Sequence, residues 1–184
     1  LRPDTWHQLQ ESIASQDNGR LAALYLEIDQ ALAVYQIPRR NYFGQAVAAY
    51  HAAIASEPQN TSFYVALADA YHDRAAMMPE ESLNYEQLAA QMLEQAHNIA
   101  PEDTRISERL AETYLAIALA SAAQGGQVAA LQYLERLRTG DLPRIESDDR
   151  IQTLALRWSV ELAEQGDEEI AFQEAQQLLP PASL

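Results

Sequence analysis

Four times along the chain a pair of small or aliphatic residues is followed three positions later by an aromatic: Ala31-Leu32 with Tyr35, Leu67-Ala68 with Tyr71, Leu110-Ala111 with Tyr114, and Leu154-Ala155 with Trp158. Such spacing puts all three members on one face of a helix. Three of these segments lead into a second stretch with its own alternation of small and bulky residues, and two of those stretches close on Ala-x4-Pro, at Ala53/Pro58 and Ala96/Pro101. The marker aromatics recur after 36, 43 and 44 residues. A chain that repeats one helical hairpin must bury each hairpin against its neighbours, so the expected architecture is a stack of helix pairs.

Composition agrees with an all-α chain. Alanine occurs 33 times among 184 residues and β-branched residues are sparse, which favours helix nearly throughout. A chain of this length is expected to form a single domain. All 12 basic residues are arginine and there is no cysteine. Thiolate nucleophiles, disulfides, iron–sulfur ligation, Schiff bases and a phosphate-loop lysine are thereby excluded. The net charge of −15 repels phosphate backbones and anionic lipid, so neither nucleic acid nor a membrane surface is the expected partner. The most apolar run, Tyr114 to Ala123, is about half the length needed to cross a bilayer. The expected compartment is the cytoplasm, although a cysteine-free chain tolerates the periplasm equally. The chain reads as a segment of a longer protein.

Punctuation divides it further. Thr5 is the expected N-cap of a first helix with Trp6, Leu9 and Ile13 on one face, ending at Asp17-Asn18-Gly19, so 1–19 is an N-terminal helix and turn. Helix pairs follow over 20–58, 60–101, 103–138 and 146–180, giving eight or nine helices. The capping residues are Asn60-Thr61-Ser62 and Asp103-Thr104, and the stops are Pro38, Pro58, Pro101, Gly125-Gly126 and Pro180-Pro181. The connector Thr139–Asp149 is the expected flexible point, and Met77 and Met78 are expected to pack while Pro79-Glu80-Glu81 stays exposed.

Tyr64-x2-Leu67-Ala68-x2-Tyr71 joined to Ala89-x3-Leu93-x2-Ala96-x4-Pro101, with Ala46-x3-Tyr50-x2-Ala53-x4-Pro58 before it, resembles the tetratricopeptide repeat, a 34-residue helix–turn–helix unit. The resemblance covers roughly residues 24 to 179 and is strongest over 42–116. It departs from the family in its longer spacings and in Ala129 and Tyr133, which lack the trailing Ala and Pro. It implies a right-handed superhelix of antiparallel helix pairs, a tetratricopeptide-like α-solenoid. It also implies a protein-interaction scaffold whose first helices line a concave groove.

If the markers face inward, a separate stripe on each first helix faces the groove: Asp29 in the first pair, Val65, Asp69 and His72 in the second, Glu108, Glu112 and Leu115 in the third, Gln152 and Leu156 in the fourth. Acids beside apolar residues suit a basic or mixed basic-apolar protein segment. A carboxylate clamp does not fit, because the lysines it needs are missing. The alternative is a self-assembling repeat in which Trp158, the last pair and the connector near Pro143 form a homotypic contact. The four histidines make no metal-binding spacing, and there is no nucleophile elbow, so neither enzyme, cofactor nor metal is expected.

Overall fold

The computed structural model describes residues 4–34, 41–139, 142–143 and 148–178. Among the described residues the secondary structure is entirely helical: α1 (Thr5–Ser15), α2 (Asn18–Val34), α3 (Tyr42–Ser56), α4 (Thr61–Met77), a 3-10 turn (Pro79–Glu81), α5 (Ser82–Ile99), α6 (Thr104–Ala123), α7 (Gln127–Thr139), α8 (Asp148–Glu164) and α9 (Glu168–Leu178). The chain forms two compact units, Leu1–Ala70 and Tyr71–Leu184, with the boundary inside α4.

Two kinds of turn account for the hairpins. Glu57 and Ala100, each preceding a proline, share one backbone conformation (φ −134°, ψ 72°), because a residue before Pro is barred from the α region. Each amide still reaches the helix it ends, bonding the carbonyl of Ala53 (2.9 Å) or Ala96 (3.0 Å). The amides of Asn60 and Asp103 then fold back to the carbonyls of Glu57 (3.0 Å) and Ala100 (3.1 Å). Their carboxamide and carboxylate oxygens accept from the amides of Ser62 (3.2 Å) and Arg105 (3.0 Å) to start the next helix. Ala-x4-Pro is thus one stop-and-restart device used twice.

The second turn is a Schellman-type closure. The amide of Gly126 bonds the carbonyl of Ser121 (2.8 Å), that of Asp167 the carbonyl of Leu162 (3.3 Å), and that of Asp17 the carbonyl of Ser12 (3.2 Å). Its left-handed residue is glycine at Gly125 (φ 82°) and Gly166 (φ 99°), but glutamine at Gln16 (φ 55°).

In the first unit, α1 packs on α2 and α2 on α3. Leu9, Leu24 and Ile28 form a core, with Leu21, Tyr25, Leu32 and Tyr42 against it. Two expectations are corrected here. Thr5 is a helical residue rather than the N-cap; its hydroxyl is buried and donates to Glu27 Oε1 (3.3 Å). Thr5, Leu9 and Ser12 of α1 are buried while Ile13 is 53% exposed, because the helical period puts Ile13 at the edge of the face those three share.

In the second unit, α5 packs on α6, α6 on α7, and α7 on α8 and α9. The markers Tyr71, Tyr114 and Trp158 are buried, only 6%, 7% and 3% exposed, beside Leu110, Ala111 and Ala155. Tyr35 lies outside the described residues, as does most of the 139–149 connector. Tyrosine pairs tie first helix to second: Tyr25–Tyr42 (6.2 Å) joins α2 to α3, Tyr71–Tyr85 (6.4 Å) α4 to α5, and Tyr114–Tyr133 (5.6 Å) α6 to α7. Met77 is 43% exposed rather than packed, since α4 continues through it and places it one turn after exposed Asp73. Pro79, Glu80 and Glu81 are exposed.

Candidate partner-binding faces

Helix α6 is capped at its start by Asp103 and buries Ile106, Leu110, Ala111, Tyr114, Ile117 and Ala118. Its neighbours fix it at several points. Tyr114 donates its hydroxyl to Glu94 Oε1 on α5 (2.6 Å). Arg136 on α7 reaches the same oxygen at 3.4 Å, and its guanidinium stands 5.8 Å from the Tyr114 ring and 5.2 Å from that of Tyr133. Burial, reinforced by the hydrogen bond to Glu94 and its charge, pushes the Tyr114 phenol well above the usual tyrosine range, against a smaller lowering by Arg136.

Two buried hydroxyls of α6 meet histidines. Ser107 Oγ lies 3.0 Å from His97 Nδ1 and donates to the carbonyl of Asp103 (3.2 Å). Thr113 Oγ1 lies 3.1 Å from His72 Nε2 and donates to the carbonyl of Arg109 (2.8 Å). The other nitrogen of His72 is 2.7 Å from Glu86 Oε2. His72 is therefore half-buried and engaged on both sides, joining the end of α4 to α5 and α6 instead of standing open on a stripe.

What the core leaves uncovered on α6 is the opposite stripe. Glu108 and Glu112 are exposed, Leu115 is half-buried, and Leu119 is 41% exposed. No described cation lies within ion-pair distance of Glu108 or Glu112. On α8, Gln152 is half-buried and Leu156 is 48% exposed, with Val160, one turn further on, at 50%. Leu119 and Val160 extend the stripes by one more step of four residues, a continuation readable from spacing alone. Trp158 points inward, so it is closed to any homotypic contact.

In the first unit, Val65 and Asp69 are half-buried on α4, and Asp69 carries an interaction of its own. Asp29 is not an open acid. It lies two turns after fully buried Ala22 and is itself only 4% exposed, so it offers no carboxylate to a partner. Of the nine sequence-derived positions, Glu108, Glu112 and Leu156 are exposed, Val65, Asp69, His72, Leu115 and Gln152 are half-buried, and Asp29 is buried.

Among the described residues, no group of three or more His, Asp or Glu side chains could hold a metal ion. Among those same residues no helix is long and apolar enough to cross a membrane.

No protein family matches the chain, and no curated protein does either. Two solved structures resemble it. One, described as "Crystal structure of MamA protein", is 16% identical with a TM-score of 0.37, covering 85% of this chain and 70% of that one. Another, described as "Crystal structure of MamA", is 13% identical with a TM-score of 0.28, covering 74% of this chain and 86% of that one. Likenesses this distant carry no argument about function.

Proposed function

We propose that the chain is a tetratricopeptide-like interaction module that holds a basic or mixed basic-apolar segment of another protein on its first-helix faces. Glu108, Glu112 and Leu115 on α6 form the principal contact, and Gln152 and Leu156 on α8 a further one. The Val65–Asp69 face of α4 carries the same mixture in the first unit. His72 supports α6 from behind, and Asp29 takes no part. No catalytic step is assigned to the chain. The observation that carries the reading is the stripe of α6, where two exposed carboxylates without a described cation adjoin half-buried Leu115 and exposed Leu119.

The test is titration of the protein with basic and acidic peptide pools at increasing NaCl. The basic pool is expected to bind more tightly and to weaken as salt rises, since the screening length falls to about 10 Å at 0.1 M. Reversing the stripe with Glu108→Arg and Glu112→Arg is expected to abolish the preference. Equal binding of the acidic pool, or a variant that binds like the parent, would sink the reading.

A second reading rests on the last helix pair, where Leu156, Val160, Ile170 and Phe172 are between 41% and 54% exposed and could meet a second copy. Sedimentation across concentration decides it, because a chain that stays monomeric leaves no place for that contact.

A further inference from the structure

The exposed stripe of α6 has an order as well as a composition, and the order bears on the form of the partner. Glu108, Glu112, Leu115 and Leu119 are separated by four, three and four residues, the alternation of a helix-packing seam. At 1.5 Å per residue the seam is about 16 Å long, with both acids in its first half and both leucines in its second. Glu108 and Glu112 can accept from backbone N–H groups, but none of the four side chains can donate, so the C=O groups of an extended peptide find no partner on the seam. A helix arrives with those groups already satisfied.

Direction follows from charge. Cations facing Glu108 and Glu112 are most stable in the last turns of a helix, where they complement the partial negative charge of its carbonyl end. That places the carbonyl end of the partner beside the amino end of α6. Arg105 limits the seam. It is 87% exposed one turn before Glu108 and lies 3.6 Å from Asp103, so a partner cation placed beyond Glu108 meets a like charge.

Resting on the proposed function, we infer that the α6 seam docks an amphipathic helix of a partner protein, antiparallel to α6. The partner's first half carries the aliphatic residues that cover Leu115 and Leu119. Its second half carries the Lys or Arg residues that meet Glu112 and Glu108.

The experiment uses the full chain and three synthetic peptides of equal length, the first two identical in composition, read by fluorescence anisotropy. The first has its aliphatic half before its basic half, the second has the halves exchanged, and the third is the first order with a central proline in place of one exposed residue. The first is expected to bind at least about five-fold more tightly than either other, because exchanging the halves moves two cations from the carbonyl end of the helix to its amino end and the proline breaks the helix. Leu119→Glu is expected to weaken the first peptide specifically. A photocrosslinker at that peptide's amino terminus is expected to attach near Leu119, and one at its carboxyl terminus near Glu108.

Equal binding of the exchanged peptide, or a crosslink pattern the other way round, overturns the antiparallel assignment. Equal binding of the proline peptide overturns the helical one. Both of these outcomes leave the basic preference standing. Binding of all three no better than an acidic pool overturns the proposed function together with this inference.

Discussion

Replacing Tyr114 by phenylalanine removes one oxygen and leaves the ring in place. The ring keeps its contact with Tyr133 at 5.6 Å and its position under Arg136. What is lost is the 2.6 Å hydrogen bond to Glu94. A hydrogen bond to a charged group contributes about 1.5 to 3 kcal/mol. Here the Glu94 side chain is 37% exposed, so water replaces part of what is removed, and the expected loss is about 1 to 1.5 kcal/mol. For a chain of this size that lowers the melting temperature by roughly 3 to 5 °C. Urea unfolding followed by circular dichroism measures it. A cycle with Glu94→Gln should show coupling of at least about 0.5 kcal/mol.

The pH dependence has a definite sign. The folded phenol titrates above its unfolded value, so its contribution is complete below about pH 10 and is lost as pH rises through the folded value. Burial pushes Tyr50 and Tyr71 in the same direction. Parent and Tyr114→Phe should therefore converge in stability above about pH 10. A loss below about 0.3 kcal/mol at neutral pH, or a gap that widens in alkali, would refute the argument that Tyr114 clamps α5 to α6.

Leu93 is fully buried on α5, so Leu93→Ala should cost about 3 kcal/mol, visible as a lower urea midpoint; a cost under about 1 kcal/mol would mean that the Ala-rich seam collapses around the gap. Gln16→Gly and Gly166→Ala should act in opposite directions. The first relieves a left-handed side chain and should stabilise by about 0.5 to 1 kcal/mol, and the second imposes one at φ 99° and should cost about 1 kcal/mol, both by thermal melts. Because the chain carries −15, raising NaCl from roughly 0.05 to 0.5 M should raise the melting temperature, and a fall would show that ion pairs outweigh self-repulsion.

The helix stops were legible because they are set locally. Pro58 and Pro101 disfavour the α region at the preceding residue whatever surrounds it, so Glu57 and Ala100 both leave the helical backbone there. Buried Tyr71, Tyr114 and Trp158 were legible because a large aromatic at a repeated position has few places to go. Alanine blurred the rest. It fits a buried seam and an open face equally well, so the rotation of a helix whose face is largely alanine depends on its neighbours. Asp29 and His72 share that ambiguity: spacing placed them on a stripe, but their surroundings bury one and bond the other.

Helix α6 is the natural place for a partner because its inner polar groups are already used. Ser107 bonds the carbonyl of the capping Asp103 and Thr113 that of Arg109, each meets a histidine of another helix, Tyr114 bonds Glu94, and Asp103 caps the helix start. A helix held this way by α4, α5 and α7 presents its outer seam in a fixed geometry, so a ligand does not have to order it on binding. The same contacts separate folding from recognition. Tyr114→Phe should lower stability while leaving the peptide affinity of the folded protein unchanged, whereas Glu112→Arg should leave stability nearly unchanged and lower affinity. If both substitutions moved both quantities, the inner clamp and the outer seam would be coupled, and α6 would not be the rigid element that an oriented helical partner requires.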